Sequence, residues 1–389
     1  MITAMLIVRH LSIREGVRME KDDFKVTPWE VTGDVDYDKL VSRFGTSYLT
    51  DDLISRMPGG RENMFLRRKI FYSHRDIGWL LDSYERGNPF YLYTGRGPSS
   101  GTHLGHMLPW IFTRQLQEMF DVHLYFQMTD DEKFLFKEQL TLDDTRRATL
   151  DNMLDIIAVG FDPARTRIIV DTRDISHLYN IALRVSKKVT FSTAKAVFGF
   201  KNSTNIGSIF YTAIQSAPAF LGSDIAGTNV PCLIPCGIDQ DPHFRITRDV
   251  APLLGYNKPA LIHGKMLPGL SGGKMSSSGN AAIYTTDSDA EIRKKVMNAF
   301  TGGRSTVEEQ RRLGADPDIC PVYHHYEFLL EPSDEALGRI YSDCRSGALL
   351  CGDCKKHLLS KILPFMQKHR ENREKARDRL DDFVFRGGE

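Results

Sequence analysis

The chain has 389 residues, 41% hydrophobic and 26% charged, which is ordinary for a globular protein and long enough for two domains with cores of their own. Its formal net charge is only +1, so contact with nucleic acid must come from local basic patches, and a nonspecific DNA coat is excluded. The apolar opening Met1–Val8 meets Arg9-His10 after too few residues to span a membrane. It also lacks the basic start and cleavage site of a secretory signal. Arg9, Arg14 and Arg18 leave a transit peptide as the lesser alternative to a frayed extension.

Residues 1 to about 22 read as a tail. Asp23–Gly33 alternates and turns at Pro28 and Gly33, the pattern of a short hairpin. Helical stretches follow at Tyr37–Phe44 and between Thr50 and Glu85, and the first buried strand is expected near Phe90–Thr94. Helical periodicity then covers His103–Phe120 and Thr141–Val159, with short β-prone runs at Val122–Met128 and Arg167–Val170. A buried strand at Cys232–Ile238, a helix at Pro242–Leu253 and a strand at Pro259–His263 complete the alternation. Strands alternating with helices predict an α/β fold of Rossmann type, a parallel sheet wound with crossovers. Ligands in such sheets bind beyond the carboxyl ends of the strands, and Tyr93, Gln127 and Gln240 fall at or just past predicted strand ends.

From about Asp287 helices dominate: Ala290–Phe300, Ser333–Ser346 and Cys354–Asp382. The last is amphipathic, with Leu358, Leu359, Ile362, Leu363 and Met366 at helical spacing; its basic residues from Lys368 to Arg379 read as a solvated face laced with acids. The expected organisation is an N-terminal extension with hairpin and helices over 1–85, a catalytic domain over 86–289 with an insertion at roughly 140–230, an all-helical C-terminal domain over 290–380, and a tail over 381–389. The six cysteines (Cys232, Cys236, Cys320, Cys344, Cys351, Cys354) read as reduced thiols. Cys351-Gly-Asp-Cys354, with Cys344 and His357 nearby, is the only metal-like cluster. It offers one clean pair where a zinc site wants two, so no metal ligands are expected.

Two segments carry chemistry: Gly101-Thr-His-Leu-Gly-His106 and Lys274-Met-Ser-Ser-Ser278. Generic phosphate motifs do not account for them. Gly95-x-Gly97 is followed by Ser100 where a dinucleotide fingerprint needs a third glycine. Gly273-Lys274 has Pro268 where a Walker A loop needs glycine and Met275 after the lysine. Alone, His103 and His106 could be a polar pair sharing one helix face. Paired with the lysine loop downstream, they place imidazoles and a cation on two sides of a nucleoside triphosphate.

His103-Leu-Gly-His106 and Lys274-Met-Ser-Ser-Ser278 resemble the HIGH and KMSKS elements of class I aminoacyl-tRNA synthetases. Phe90–Ser100, Gln127–Lys133, Ala213–Pro218 and Ile238–Pro242 are similar to tryptophanyl-tRNA synthetases of the eukaryotic/archaeal type. The resemblance implies activation of L-tryptophan with ATP, release of pyrophosphate, and transfer of tryptophan to the terminal adenosine of tRNA(Trp). It implies a hairpin that folds over the site, an anticodon-binding role for the helical domain, no zinc at the cysteines, Mg2+ carried on the triphosphate, and a cytoplasmic homodimer with no membrane or DNA partner. The attacking carboxylate is already ionised at neutral pH, so catalysis should be positioning and charge stabilisation rather than acid/base chemistry.

By that resemblance Lys274, Ser276 and Ser278 act on the phosphates with His103 and His106, which stand at a helix start that favours anions. Thr94, Gly95, Arg96, Gly105 and Met275 complete the ATP site. Tyr93 and Gln127 accept the indole N–H, which can only donate, while Glu132, Gln215 and Gln240 hold the amino acid's charged ends. Ser277 stands where many members carry a second lysine, a contact that Lys265 or the hairpin could supply. Asp130 and Asp131 read as caps of the following helix rather than a metal pair. The rival readings are a tyrosyl-tRNA synthetase, a small-molecule adenylyltransferase (which lacks the lysine loop and helical tail) and a non-catalytic RNA-binding paralogue.

Overall fold

A computed structural model describes residues 35–272, 275 and 282–387, together with the backbone of 25–26 and 31–32. Strands β1 (Lys25–Val26) and β2 (Val31–Thr32) pair antiparallel, the hairpin that Pro28 and Gly33 suggest. Seven further strands form one sheet: β3 (Ser47–Tyr48), β4 (Phe71–Arg75), β5 (Tyr91–Arg96), β6 (His123–Met128), β7 (Thr166–Val170), β8 (Cys232–Gly237) and β9 (Ala260–Gly264). Their order is β3-β4-β9-β8-β5-β6-β7, with the five strands from β9 to β7 parallel, β4 antiparallel to β9, and β3 antiparallel to β4. The parallel strands reverse direction of winding between β5 and β8, which is the switch point of a Rossmann sheet.

Alternation within the strands sends side chains to two separate cores. Leu92, Leu124, Phe126, Met128 and Ile168 face one, which also takes the helix Leu104–Phe120. Tyr91, Tyr93, Tyr125, Ile169 and Ile234 face the other, covered by Asp171–Ser186, Ile206–Ser216 and Asp241–Val250. The C-terminal helices Asp289–Met297, Asp334–Ser346 and Cys351–Ala376 join the first core through Ile292, Val296, Ile340, Leu358, Ile362 and Met366.

Three expectations are corrected. Phe71–Arg75, within a stretch expected to be helical, is β4, buried and paired with β9. The first strand of the sheet therefore precedes Tyr91. The stretch expected as a C-terminal tail is fixed in part: Val384 bridges Ile168 in parallel, Phe383 and Phe385 are buried, and the Ile168 N–H donates to the Phe383 carbonyl at 2.7 Å. The basic face of the last helix is not wholly solvated. Arg373 and His369 are buried, and Arg373 Nε donates to Asp155 at 3.1 Å while His369 Nε2 lies 3.0 Å from the same carboxylate.

Candidate active site

A cavity of about 620 Å3 opens at the carboxyl ends of β5, β6 and β8, within the size range of small-molecule sites. Tyr93, Thr94, Gly95, Arg96, His103, Gly105, His106, Gln127, Glu132, Gln215, Gln240 and Met275 all border it. Lys274, Ser276, Ser277 and Ser278 lie outside the described residues. So do the side chains of the hairpin expected to fold over the site.

At one end stands the start of the helix Leu104–Phe120, with His103 as its N-cap. The His103 and His106 rings stack at 3.5 Å between centroids, and the His103 N–H donates to His106 Nδ1 at 3.3 Å. A Cβ on Gly105 would lie 3.2 Å from the His103 ring, tighter than ordinary contact, so a larger residue would push that imidazole aside. The chain after the lysine loop returns to this helix start: Leu104 N–H donates to Ile283 O at 3.1 Å and Thr285 N–H to Thr102 O at 2.9 Å. Met275 is buried, its sulfur close above Gly105. The two motif segments are thus stitched together at their flanks.

Arg96 ends β5 and borders the cavity. Its Nη2 donates to Ser99 Oγ at 2.6 Å and its Nε to Asn152 Oδ1 at 3.3 Å. Burial draws its pKa down to about 10, with Glu132 and Asp155 opposing. Lys133, Lys137 and Lys265 also border the cavity, so cations remain on its wall apart from the loop. Lys265, a candidate for the missing second lysine, stands 5.7 Å from the Tyr37 ring and 5.8 Å from that of Tyr72.

The opposite end is a hydrogen-bonded relay. The Tyr93 hydroxyl donates toward Gln127 Oε1 at 2.6 Å and the Gln215 carbonyl at 2.9 Å. The Gln127 amide nitrogen donates to the Asp171 carboxyl, Nε2 lying 2.8 Å from Oδ1 and 2.9 Å from Oδ2. Burial, then the nearby Asp131, pushes the Asp171 carboxyl well above the usual carboxylate range. Asp131 is itself raised to about 6, burial again leading. Glu132 accepts from Thr129 at 3.0 Å and Lys133 at 2.9 Å. Gln240 donates to Asp239 at 3.2 Å in a turn of 3-10 helix.

Asp171 and Asn152 were not among the expected site residues. Asp171 directly follows a predicted strand, the one signal that could have raised it. Asp130 does not cap its own helix: it accepts from Thr172 N–H at 3.0 Å and Thr172 Oγ1 at 2.5 Å, at the start of the next one. Asp131 stays with its own first turn, accepting from the Glu132 N–H.

Behind Gln240, Asp241 accepts from Arg75 Nε at 2.6 Å and Nη2 at 2.8 Å; His263 Nε2 stands 3.2 Å from the same carboxylate, and Ser73 Oγ lies 3.0 Å from His263 Nδ1. Burial alone would raise the Asp241 carboxyl; Arg75 and His263 overcome it and hold the group at about 2. This network fixes the helix that follows Gln240 against β4 and β9.

Residues 85–367 match the family model of class I tRNA synthetases (W and Y). A tryptophan–tRNA ligase of Pyrobaculum calidifontis is 51% identical over 93% of this chain and 98% of its own length. Among solved structures, the Plasmodium falciparum tryptophanyl-tRNA synthetase superposes with a TM-score of 0.82 at 39% identity, over 87% of this chain and 94% of that one. An Encephalitozoon cuniculi tryptophanyl-tRNA synthetase bound to tryptophan gives 0.83 at 34% identity, over 90% and 98%. With a parallel sheet that switches at β5 and β8, and a family match over most of its length, the chain belongs to the class I tRNA synthetases of the tryptophan and tyrosine family.

Proposed function

We propose that this chain is a tryptophan–tRNA ligase, which joins L-tryptophan to ATP as tryptophanyl-adenylate, releases pyrophosphate, and passes tryptophan to the 3′-terminal adenosine of tRNA(Trp). The observation that carries the reading is the two-ended cavity: a hydrogen-bonding relay at Tyr93, Gln127 and Asp171, and a helix start with stacked histidines at the other end. An indole fits the first end, since its N–H needs an acceptor and nothing more. A triphosphate fits the second, where backbone N–H groups and the helix dipole favour anions.

His103 and His106 donate to the phosphates, Arg96, Lys274, Ser276 and Ser278 steady the charge that develops on the leaving pyrophosphate, and Thr94, Gly95, Gly105 and Met275 shape the nucleotide side. Tyr93 and Gln127 take the indole, while Glu132, Gln215 and Gln240 hold the ammonium and carboxylate. Magnesium enters on the triphosphate. The carboxylates at the cavity wall suit that route, because Glu132 is engaged by Lys133 and Asp239 by Gln240. Residues 86–289 make the catalytic part and 290–380 the anticodon-binding part of a cytoplasmic homodimer.

The test is amino-acid-dependent exchange of pyrophosphate into ATP, run with each of the twenty amino acids. Exchange with tryptophan alone is expected. Exchange with tyrosine alone would overturn the substrate, and exchange with none would overturn the reaction.

A further inference from the structure

The segment that follows the lysine loop brings a side chain as well as its backbone to the start of the helix Leu104–Phe120. Tyr284 pairs with His103 as an antiparallel bridge, and their rings meet nearly at right angles, 6.1 Å between centroids. The Tyr284 ring also lies against Gly101, where a Cβ would come within 2.9 Å of it, so a residue without a side chain is what admits the ring. The His103 imidazole therefore has two ring neighbours, His106 stacked on it and Tyr284 set across it.

Tyr284 is itself held from behind. The Asp287 N–H donates to the Tyr284 carbonyl at 3.1 Å, and Asp287 Oδ2 accepts the Tyr284 N–H at 2.8 Å. The same oxygen accepts from Lys295 Nζ at 2.6 Å, and that ammonium stands 4.9 Å from the centroid of the Tyr284 ring. One cation thus grips the ring and the carboxylate together. Both charged side chains are largely buried, which strengthens an ion pair and a cation over an aromatic face. Lys295 comes from the last turn of the helix Asp289–Met297. From the long C-terminal helix, Arg370 donates to the Asp287 carbonyl at 3.0 Å and to Asp289 at 2.5 Å. None of Tyr284, Asp287 and Lys295 borders the cavity, so what they do to a ligand passes through His103.

Resting on the function proposed above, in which His103 donates to the phosphates, we infer that Asp287 and Lys295 are positioning residues for that donation, acting on the His103 ring through Tyr284. A donor aimed at developing charge contributes most when its place is fixed before the reaction begins. The backbone bridge fixes where His103 stands; the clasped Tyr284 ring fixes how its imidazole is turned.

The experiment compares Asp287→Asn, Lys295→Met and Lys295→Arg with the unaltered chain in tryptophan-dependent pyrophosphate exchange. The same chains, with 15N-labelled histidine, are compared by NMR, the His103 signal being assigned by its loss in His103→Gln. In Asp287→Asn and Lys295→Met, kcat should fall about 10-fold while the KM for tryptophan stays within about twofold. The His103 signal should move in both, and Lys295→Arg should restore signal and turnover. An unmoved His103 signal in Lys295→Met would overturn the proposal. So would a loss shared by kcat and tryptophan binding, which marks general damage to the fold. Tyr284→Leu removes only the ring and carries the same comparison where a charge variant does not fold. The NMR measurement needs no turnover, so an unaltered chain that exchanges no pyrophosphate defeats the proposed reaction and still leaves the positioning to be judged.

Discussion

Gln127 shows how one side chain acquires a direction. A free amide can present either end to a ligand, but here the nitrogen is committed to the Asp171 carboxyl, so the oxygen faces Tyr93 and the cavity. The Tyr93 proton is committed in turn to Gln127 or the Gln215 carbonyl, which leaves the phenol oxygen able to accept. An indole N–H thus meets acceptors already in place, and a ring lacking that N–H leaves them unmatched. Tyr93→Phe should lower kcat/KM for tryptophan in pyrophosphate exchange by about 10- to 100-fold, through tryptophan binding, with little change in the KM for ATP. An equal loss toward ATP would move Tyr93 out of the amino-acid side. The sequence displays the residue types at strand ends but not who meets whom: Asp171 is 44 positions from Gln127, and only the pairing of β6 with β7 brings it there.

At the scale of elements, β4 explains both what was legible and what was not. The five parallel strands announce themselves as short apolar or β-branched runs between helical stretches, and their ends fall within two residues of expectation. Phe71-Tyr-Ser-His-Arg75 is short, sits between helices and carries polar residues where a buried strand should be apolar. Those polar residues hold the network around Asp241, a purpose that exists only once β4 lies beside β9. The network has a pH signature. Asp241 is depressed from the ordinary 3.8 to about 2, so its stabilisation is complete above pH 4 and lost as pH falls toward 2. Integrated over that shift it amounts to about 2 kcal/mol. Asp241→Asn should cost about 3 kcal/mol at neutral pH, because Arg75 is left half-buried without its anion, and should flatten the acid limb of the stability profile. Urea unfolding of both chains at pH 7 and pH 3 checks it; an unchanged acid limb would show that the network is inert.

For the molecule as a whole, the helix Leu142–Ala158 is the joint. Asn152 holds Arg96 and Ser99 at the cavity, and one turn later Asp155 holds Arg373 and His369 of the long C-terminal helix. Arg373→Met should destabilise the chain by about 3–5 kcal/mol by leaving buried Asp155 short of a partner, and Asp155→Leu added to it should recover much of that loss. Thermal melting of the single and double variants reads both effects; a double variant that melts lower still would show that the pair is worth more than apolar packing. The segment around Val384 has a different kind of consequence, one of timing. It covers the outer edge of β7 from more than 200 residues downstream, so a ribosome must deliver all of that intervening chain before the edge is shielded. Until then the nascent sheet presents an open strand to its surroundings.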